Sequence, residues 1–215
     1  MRVTAAVVGG LICCCAVIGA QQPPSLFPDR DFPAGVGRIN DLAFSPDGRL
    51  LAVAGSSGSL AVWDTQSGSS IRQVTVAQDA AVRVAFGGPG TVAVGTERGG
   101  VSALNLLTGH VREVARHGLV AITALAVAPD GSMGVSGDGT GDIMIWPVEG
   151  GGQAERLRED TKREAIVFLA FVSPTTLVSI NKDLGITTWD VPKRRSLRRS
   201  TVQLESLGRS AVTTN

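Results

Sequence analysis

Apolar and polar residues alternate along most of this chain in runs of five or six, and each run ends in Gly, Pro, Asp or Ser. Ile39-Asn40-Asp41-Leu42-Ala43-Phe44 is one such run, and Ser45-Pro46-Asp47-Gly48 follows it. A period of two marks strands with one buried and one open face. Pro presets the turn angle, Asp accepts local backbone bonds and Gly tolerates positive φ. The pattern predicts four strands in the first stretch, at about Ile39–Phe44, Leu50–Ala54, Leu60–Trp63 and Ile71–Val76. Turns at 45–48, 56–58 and 64–68 separate them, and nothing here sustains a helical period.

The first run recurs. Ala81 to Gly90, Ile122 to Gly131 and Ile166 to Thr175 align with Ile39 to Gly48: apolar, two free positions, apolar, Ala, apolar, turn. The four aligned alanines, Ala43, Ala85, Ala126 and Ala170, are spaced by 42, 41 and 44 residues. A second landmark keeps that step: Trp63-Asp64, Leu104-Asn105, Trp146-Pro147 and Trp189-Asp190, spaced by 41, 42 and 43. A small four-stranded sheet has two faces to cover, and stacking against its neighbours radially covers them. The units run at about 35–76, 77–116, 117–159 and 160–204, and the last residues read as the start of a fifth.

Phe44-Ser45-Pro46-Asp47-Gly48, Ala128-Pro129-Asp130-Gly131, Trp63-Asp64 and Trp189-Asp190 resemble the signatures of WD40-repeat β-propellers, and the resemblance runs from about Gly35 to Leu204. It implies an all-β propeller of four-stranded blades, and a protein-interaction scaffold that needs no cofactor. The structural landmarks it assigns are Trp63, Asp64, Trp146, Trp189 and Asp190. The Gly-His that often opens a repeat in this family has one near match, His117. The family's hairpin Asp has one match, Asp183; Ser57, Arg98 and Thr140 stand in the comparable places of the other repeats. The family's His–Ser/Thr–Asp–Trp hydrogen-bond relay is therefore expected to be mostly absent. A degenerate repeat of this kind resembles exported bacterial propeller proteins.

The amino terminus changes the picture of where the protein works. Arg2 is the sole charge before Asp29, and Val3 to Ala20 is dominated by apolar and small residues. A positive start, an apolar stretch and a small-residue exit read as a secretory signal peptide, with cleavage after Ala20. An uncleaved anchor over residues 3–20 is the alternative, at the short end for a bilayer span. Residues 21–34 read as a linker. Cys13, Cys14 and Cys15 are the only cysteines. Each follows a residue unlike the small one that precedes a lipidated Cys, and cleavage would leave no thiol for a disulfide, a metal or a nucleophile. The expected address is extracytoplasmic, periplasmic or secreted.

Composition removes several function classes. Twenty Lys and Arg against nineteen Asp and Glu give a formal charge of +1, too balanced for a broad nucleic-acid face. His110 and His117 lack metal-ligand spacing, and no Gly-x-Ser-x-Gly elbow is present. Ser136 has no base nearby in sequence. Gly137-Asp138-Gly139-Thr140-Gly141-Asp142 resembles a calcium loop, but a tight hairpin asks for the same residues. Gly87-Gly88-Pro89-Gly90 lacks the Lys-Ser/Thr of a phosphate loop. Lys193-Arg194-Arg195 and Arg198-Arg199 form a basic run, read as a solvated edge that Glu155, Glu159, Asp160 and Glu164 could balance. No catalytic, cofactor or metal residue is assigned.

The expected function is an exported, non-catalytic scaffold for protein partners, with Arg38, Arg83 and Thr123, beside the first strands of their blades, as the contact residues. The alternatives are a fragment of a larger propeller, or a propeller enzyme or small-molecule binder. Four units are few for the family, so an incomplete ring is expected. Closure would need Asp31–Val36 and Val202–Leu207 to share an outer strand. An open ring exposes apolar faces and invites a second copy to complete it.

Overall fold

The computed structural model describes residues 35–87, 90–157 and 164–201. The leader at 1–20, the linker, the fifth-repeat tail and most of both closure segments lie outside these residues. The described residues fall within one compact unit, Phe32–Asn215. They form sixteen strands in four antiparallel sheets, each built from four consecutive strands. Blade 1 is β1 (Ile39–Phe44), β2 (Leu50–Gly55), β3 (Ser59–Asp64) and β4 (Ser70–Thr75). Blade 2 is β5 (Ala81–Phe86), β6 (Thr91–Thr96), β7 (Gly100–Asn105) and β8 (Val111–Arg116). Blade 3 is β9 (Ile122–Val127), β10 (Met133–Asp138), β11 (Ile143–Pro147) and β12 (Glu155–Leu157). Blade 4 is β13 (Ile166–Ser173), β14 (Thr176–Asn181), β15 (Gly185–Asp190) and β16 (Arg195–Thr201).

Turn chemistry shapes each hairpin. Asp47 accepts hydrogen bonds from the Ser45 hydroxyl at 2.6 Å and the Arg49 N–H at 3.1 Å, and Gly48 donates back to the Ser45 carbonyl at 2.8 Å. Asp130 repeats the arrangement with the Ser132 N–H and hydroxyl. The Asp of Trp-Asp does the same work one hairpin later. Asp64 accepts from the N–H groups of Gln66 and Ser67 and from the Ser67 hydroxyl, and these bonds, led by the Ser67 N–H, hold its carboxyl below the usual range. Asn105 caps the same turn of blade 2, and Asp190 accepts from the Lys193 N–H in blade 4. Blade 3 has Pro147 there, with no carboxylate to cap the turn. A Gly-rich loop follows before β12.

The inner strands stand side by side: β1 against β5, β5 against β9, and β9 against β13. Among the described residues β13 and β1 do not pack as these three pairs do, and the four blades follow one another in an arc. The core lies between blades. Ala52, Ala54, Leu60 and Val62 of blade 1 pack on Val84, Val92, Val94 and Leu104 of blade 2. Ala93, Val101 and Ala103 pack on Ile122 and Trp146. Val135, Ile143 and Ile145 pack on Ile166, Leu169, Leu177 and Trp189. Hence Leu104, Trp146 and Trp189 face the preceding blade, whereas Trp63 of blade 1 is buried with Val36, Val53 and Ala61. Small residues at one register position let the inner strands approach: Ala54, Gly95 and Gly137, paired across the hairpin with Leu60, Val101 and Ile143. A Cβ on Gly137 would lie 2.7 Å from Ile166, and one on Gly95 would lie 2.6 Å from Ile122.

Candidate functional site

Blade 3 contains a buried polar chain that its sequence only half announces. Trp146 Nε1 donates to Ser136 Oγ at 3.2 Å, Ser136 Oγ lies 2.8 Å from His117 Nε2, and His117 Nδ1 lies 3.0 Å from Asp138 Oδ2. An imidazole carrying its proton on Nδ1 satisfies every link: indole to hydroxyl, hydroxyl to imidazole, imidazole to carboxylate. Asp138 Oδ1 accepts from the Thr140 N–H and hydroxyl and from the Asp142 N–H. Burial opposes the charge on Asp138, but the hydrogen bonds from His117 and Thr140 outweigh it and hold the carboxyl below its usual range.

The relay, expected to be mostly absent, is complete in blade 3. Two expectations are corrected, the first being that Ser136 does have a base beside it. The hairpin carboxylate is Asp138; Thr140 is one of its donors. Asp183 lies exposed at the β14–β15 hairpin, while the register position of Asp138 in blade 4 belongs to Asn181, whose side chain accepts from the Gly185 N–H at 2.7 Å. Blade 4 keeps the other half of the relay, Trp189 Nε1 donating to Ser179 Oγ at 2.8 Å. In sequence the signal was Ser-x-Asp at a strand end, with Ser-x-Asn in the next repeat. The Asp-Gly hairpin reading of 137–142 is the geometry found, since both Asp138 oxygens are bonded within the blade.

Ser136, His117 and Asp138 have the hydrogen-bond order of a hydrolase triad, but their surroundings differ. Ser136 is 0% exposed and Asp138 1%, and the indole N–H already sits on the serine oxygen. A nucleophile must touch its substrate, so this chain braces the blade.

The contact residues expected from sequence are partly consumed by the fold. Arg83 Nε donates to the Thr123 carbonyl at 2.8 Å and its Nη1 to the Val82 carbonyl, which ties β5 to β9. Thr123 Oγ1 donates to the Gly137 carbonyl at 3.2 Å. Arg38 stays exposed at the entry to β1, with its N–H on Ser56 Oγ. His110 is an exposed turn residue. Arg194 of the basic run reaches Glu155 of blade 3 at 2.7 Å, and β16 is exposed along its whole length.

Exposed apolar residues, whose identity the sequence did not give, lie on the inner strands of blades 1 and 4. Ile39, Leu42 and Phe44 of β1 are 54%, 53% and 57% exposed; Val167, Phe168 and Val172 of β13 are 51%, 49% and 69%. The residues matching Leu42 and Phe44 by repeat are Val84 and Phe86, Leu125 and Val127, and Leu169 and Phe171, all packed between blades. Single exposed apolar residues are ordinary; three on each terminal inner strand mark a contact face.

The sheets and their side-by-side stacking define a β-propeller arc. The family "Anaphase-promoting complex subunit 4 WD40 domain" matches residues 31–88. A chain of the mitotic checkpoint complex superposes with a TM-score of 0.66 at 17% identity, over 75% of this chain and 52% of that one. The computationally designed Ika4 protein gives 0.63 at 26% identity, over 75% of this chain and 96% of its own. The designed Ika8 protein gives 0.63 at 27%, over 74% and 48%. This chain thus spans about half the length of the checkpoint and Ika8 chains. No curated protein matches in sequence. The repeats, the match over residues 31–88 and the fold support a WD40-like propeller.

Proposed function

We propose that this protein is an exported, non-catalytic WD40 scaffold that binds protein partners through the open faces of its first and fourth blades. One observation carries the reading: large apolar side chains stand about half or more exposed on β1 and β13, and the counterparts of Leu42 and Phe44 in the other blades are packed between blades. Protein contacts are built around such apolar patches. The blades hold the patches rigidly, because strands with buried faces have fixed register. The leader supports export, and Arg38 at the entry to β1 supplies a charged rim beside Ile39.

The test uses the immobilised chain beside a Phe44→Asp/Phe168→Asp variant of unchanged circular dichroism. Proteins retained by the native chain and lost by the variant are identified, purified and titrated against both. Face-dependent binding supports the scaffold, and its absence for every protein, a second copy included, ends it. Cell fractionation with amino-terminal sequencing checks export: a soluble extracytoplasmic product beginning at Gln21 is expected, and a cytoplasmic product contradicts it.

A further inference from the structure

Blades 2 and 3 use one corner of their repeats differently. Val76 precedes blade 2 as His117 precedes blade 3: each donates its N–H to a hairpin glycine of the blade before, Val76 to the Gly58 carbonyl and His117 to that of Gly99. Thr96, opposite Ala81, takes the place of Asp138, opposite Ile122. Ser102, opposite Val94, takes the place of Met144, opposite Ser136. Two residues earlier on these strands, Gly100 takes the place of Asp142. Blade 3 fills the corner. His117 and Met144 are buried there, and Asp142 pairs with Arg156 at 3.2 Å. Blade 2 has a smaller side chain at three of the four positions, Val76, Gly100 and Ser102. A cavity of about 500 Å³ opens among them and Thr96. Small-molecule sites usually measure about 300–1000 Å³.

The wall of this cavity carries polar groups that the fold leaves unused. Ser102 is only 8% exposed, and its hydroxyl has no hydrogen-bond partner among the described residues. A buried hydroxyl is normally bonded, so one left open on a cavity wall points to a molecule that enters and meets it. Thr96 is buried as well. Its Oγ1 accepts from the Gly100 N–H at 3.0 Å, and its proton remains to be donated. The mouth is charged but balanced. Asp79 accepts the Arg98 N–H on Oδ2 at 2.7 Å, which leaves Oδ1 and the exposed Arg98 guanidinium without hydrogen bonds among the described residues. Glu113 and Arg116 pair with each other. Val76 and Leu119 supply an apolar stretch of wall.

We propose that this cavity binds a small neutral polyol of monosaccharide size. Three features select that class. A sugar hydroxyl both donates and accepts, so it answers Ser102, which can do either, and Thr96, whose proton is unclaimed. Two carboxylates and two guanidiniums share the mouth. An ion attracted to one sign meets the other beside it, and it must part Glu113 from Arg116 to use either. A neutral ligand accepts from Arg98 and donates to Asp79 with that pair intact. Finally, the C–H face of a sugar ring can lie on Val76 and on Leu119, which is 83% exposed. None of the lining residues belongs to β1 or β13, so the site is independent of the scaffold reading.

The experiment is a titration of the isotope-labelled full chain with glucose, galactose, mannose and ribose into the high millimolar range, followed through its amide resonances. At least one sugar is expected to shift the amides of Thr96, Gly100 and Ser102 to saturation while those of blade 4 stay in place. Ser102→Met installs the residue of blade 3 and removes the hydroxyl, and it should weaken that binding at least about tenfold. Arg98→Ala changes an exposed side chain outside the core and should weaken it at least about threefold, which keeps the test open if Ser102→Met does not fold by circular dichroism. Shifts absent for every sugar, shifts that do not saturate, or binding that a folded variant leaves untouched would overturn the proposal. Tighter binding of glycine or acetate than of any sugar would overturn it too, by making this a site for a charged ligand. Protein binding through β1 and β13 is read by the immobilised-chain test and is unaffected by either outcome.

Discussion

Blades 3 and 4 start from similar sequences and end in different surroundings. Both carry a Trp whose indole donates to a serine of the second strand, and both bury that Trp against the preceding blade. Blade 3 adds His117 and Asp138 and has neighbours on both sides. Blade 4 has Asn181 in place of the carboxylate, and its far face has no neighbouring blade among the described residues. A repeat fixes which residues point to which face. Whether a face is covered depends on what stands beside it, so the same alternation makes core in one blade and open surface in the next.

The comparison breaks first at Trp146. Its side chain is fully buried between blades 2 and 3, so Trp146→Ala should cost about 3–5 kcal/mol in denaturant unfolding. A loss below about 1 kcal/mol would show that the junction does not hold the blade. Asp138→Ala leaves His117 and several N–H groups without their acceptor inside the blade. It should cost about 3 kcal/mol, and more than Asn181→Ala in blade 4. Equal losses would contradict the contrast between the two blades. Gly137→Ala pushes a methyl group against Ile166 and should cost about 1–3 kcal/mol, read as a lower melting temperature.

The carboxylate also gives blade 3 a pH signature. Its folded pKa lies below the ordinary 3.8, so its contribution is fully present above that value and is lost as pH falls through the depressed one. Acid unfolding of Asp138→Asn should therefore be less steep below about pH 4 than that of the native chain. The smallest effect belongs to the open face. Phe168→Ser should change the stability of the isolated chain by no more than about 0.5 kcal/mol, measured in dilute solution, because the side chain is about half exposed.

Much of the fold was legible. Alternation, turn residues and two landmarks of one period placed the strands of blade 1 to within a residue or two and gave four sheets. Trp63, Trp146 and Trp189 came from the same step. The relay was harder to see, because its members come from a loop, a strand, a hairpin and another strand, and only folding brings His117 to Ser136. Arg83 read as a contact residue because a charged side chain beside an inner strand looks free in sequence. In the fold it spans two blades to reach the Thr123 carbonyl. Nothing local distinguishes Phe44 from Phe86 or Phe171, since the difference lies in whether a blade precedes it.

The central claim is that blades 2 to 4 are each held by a third-strand Leu or Trp buried against the blade before it. Hydrogen exchange of the indole N–H protons tests it most directly. The account predicts slow exchange for Trp146 and Trp189, which are buried and donate to Ser136 and Ser179. Exchange of either as fast as that of a free indole would contradict it.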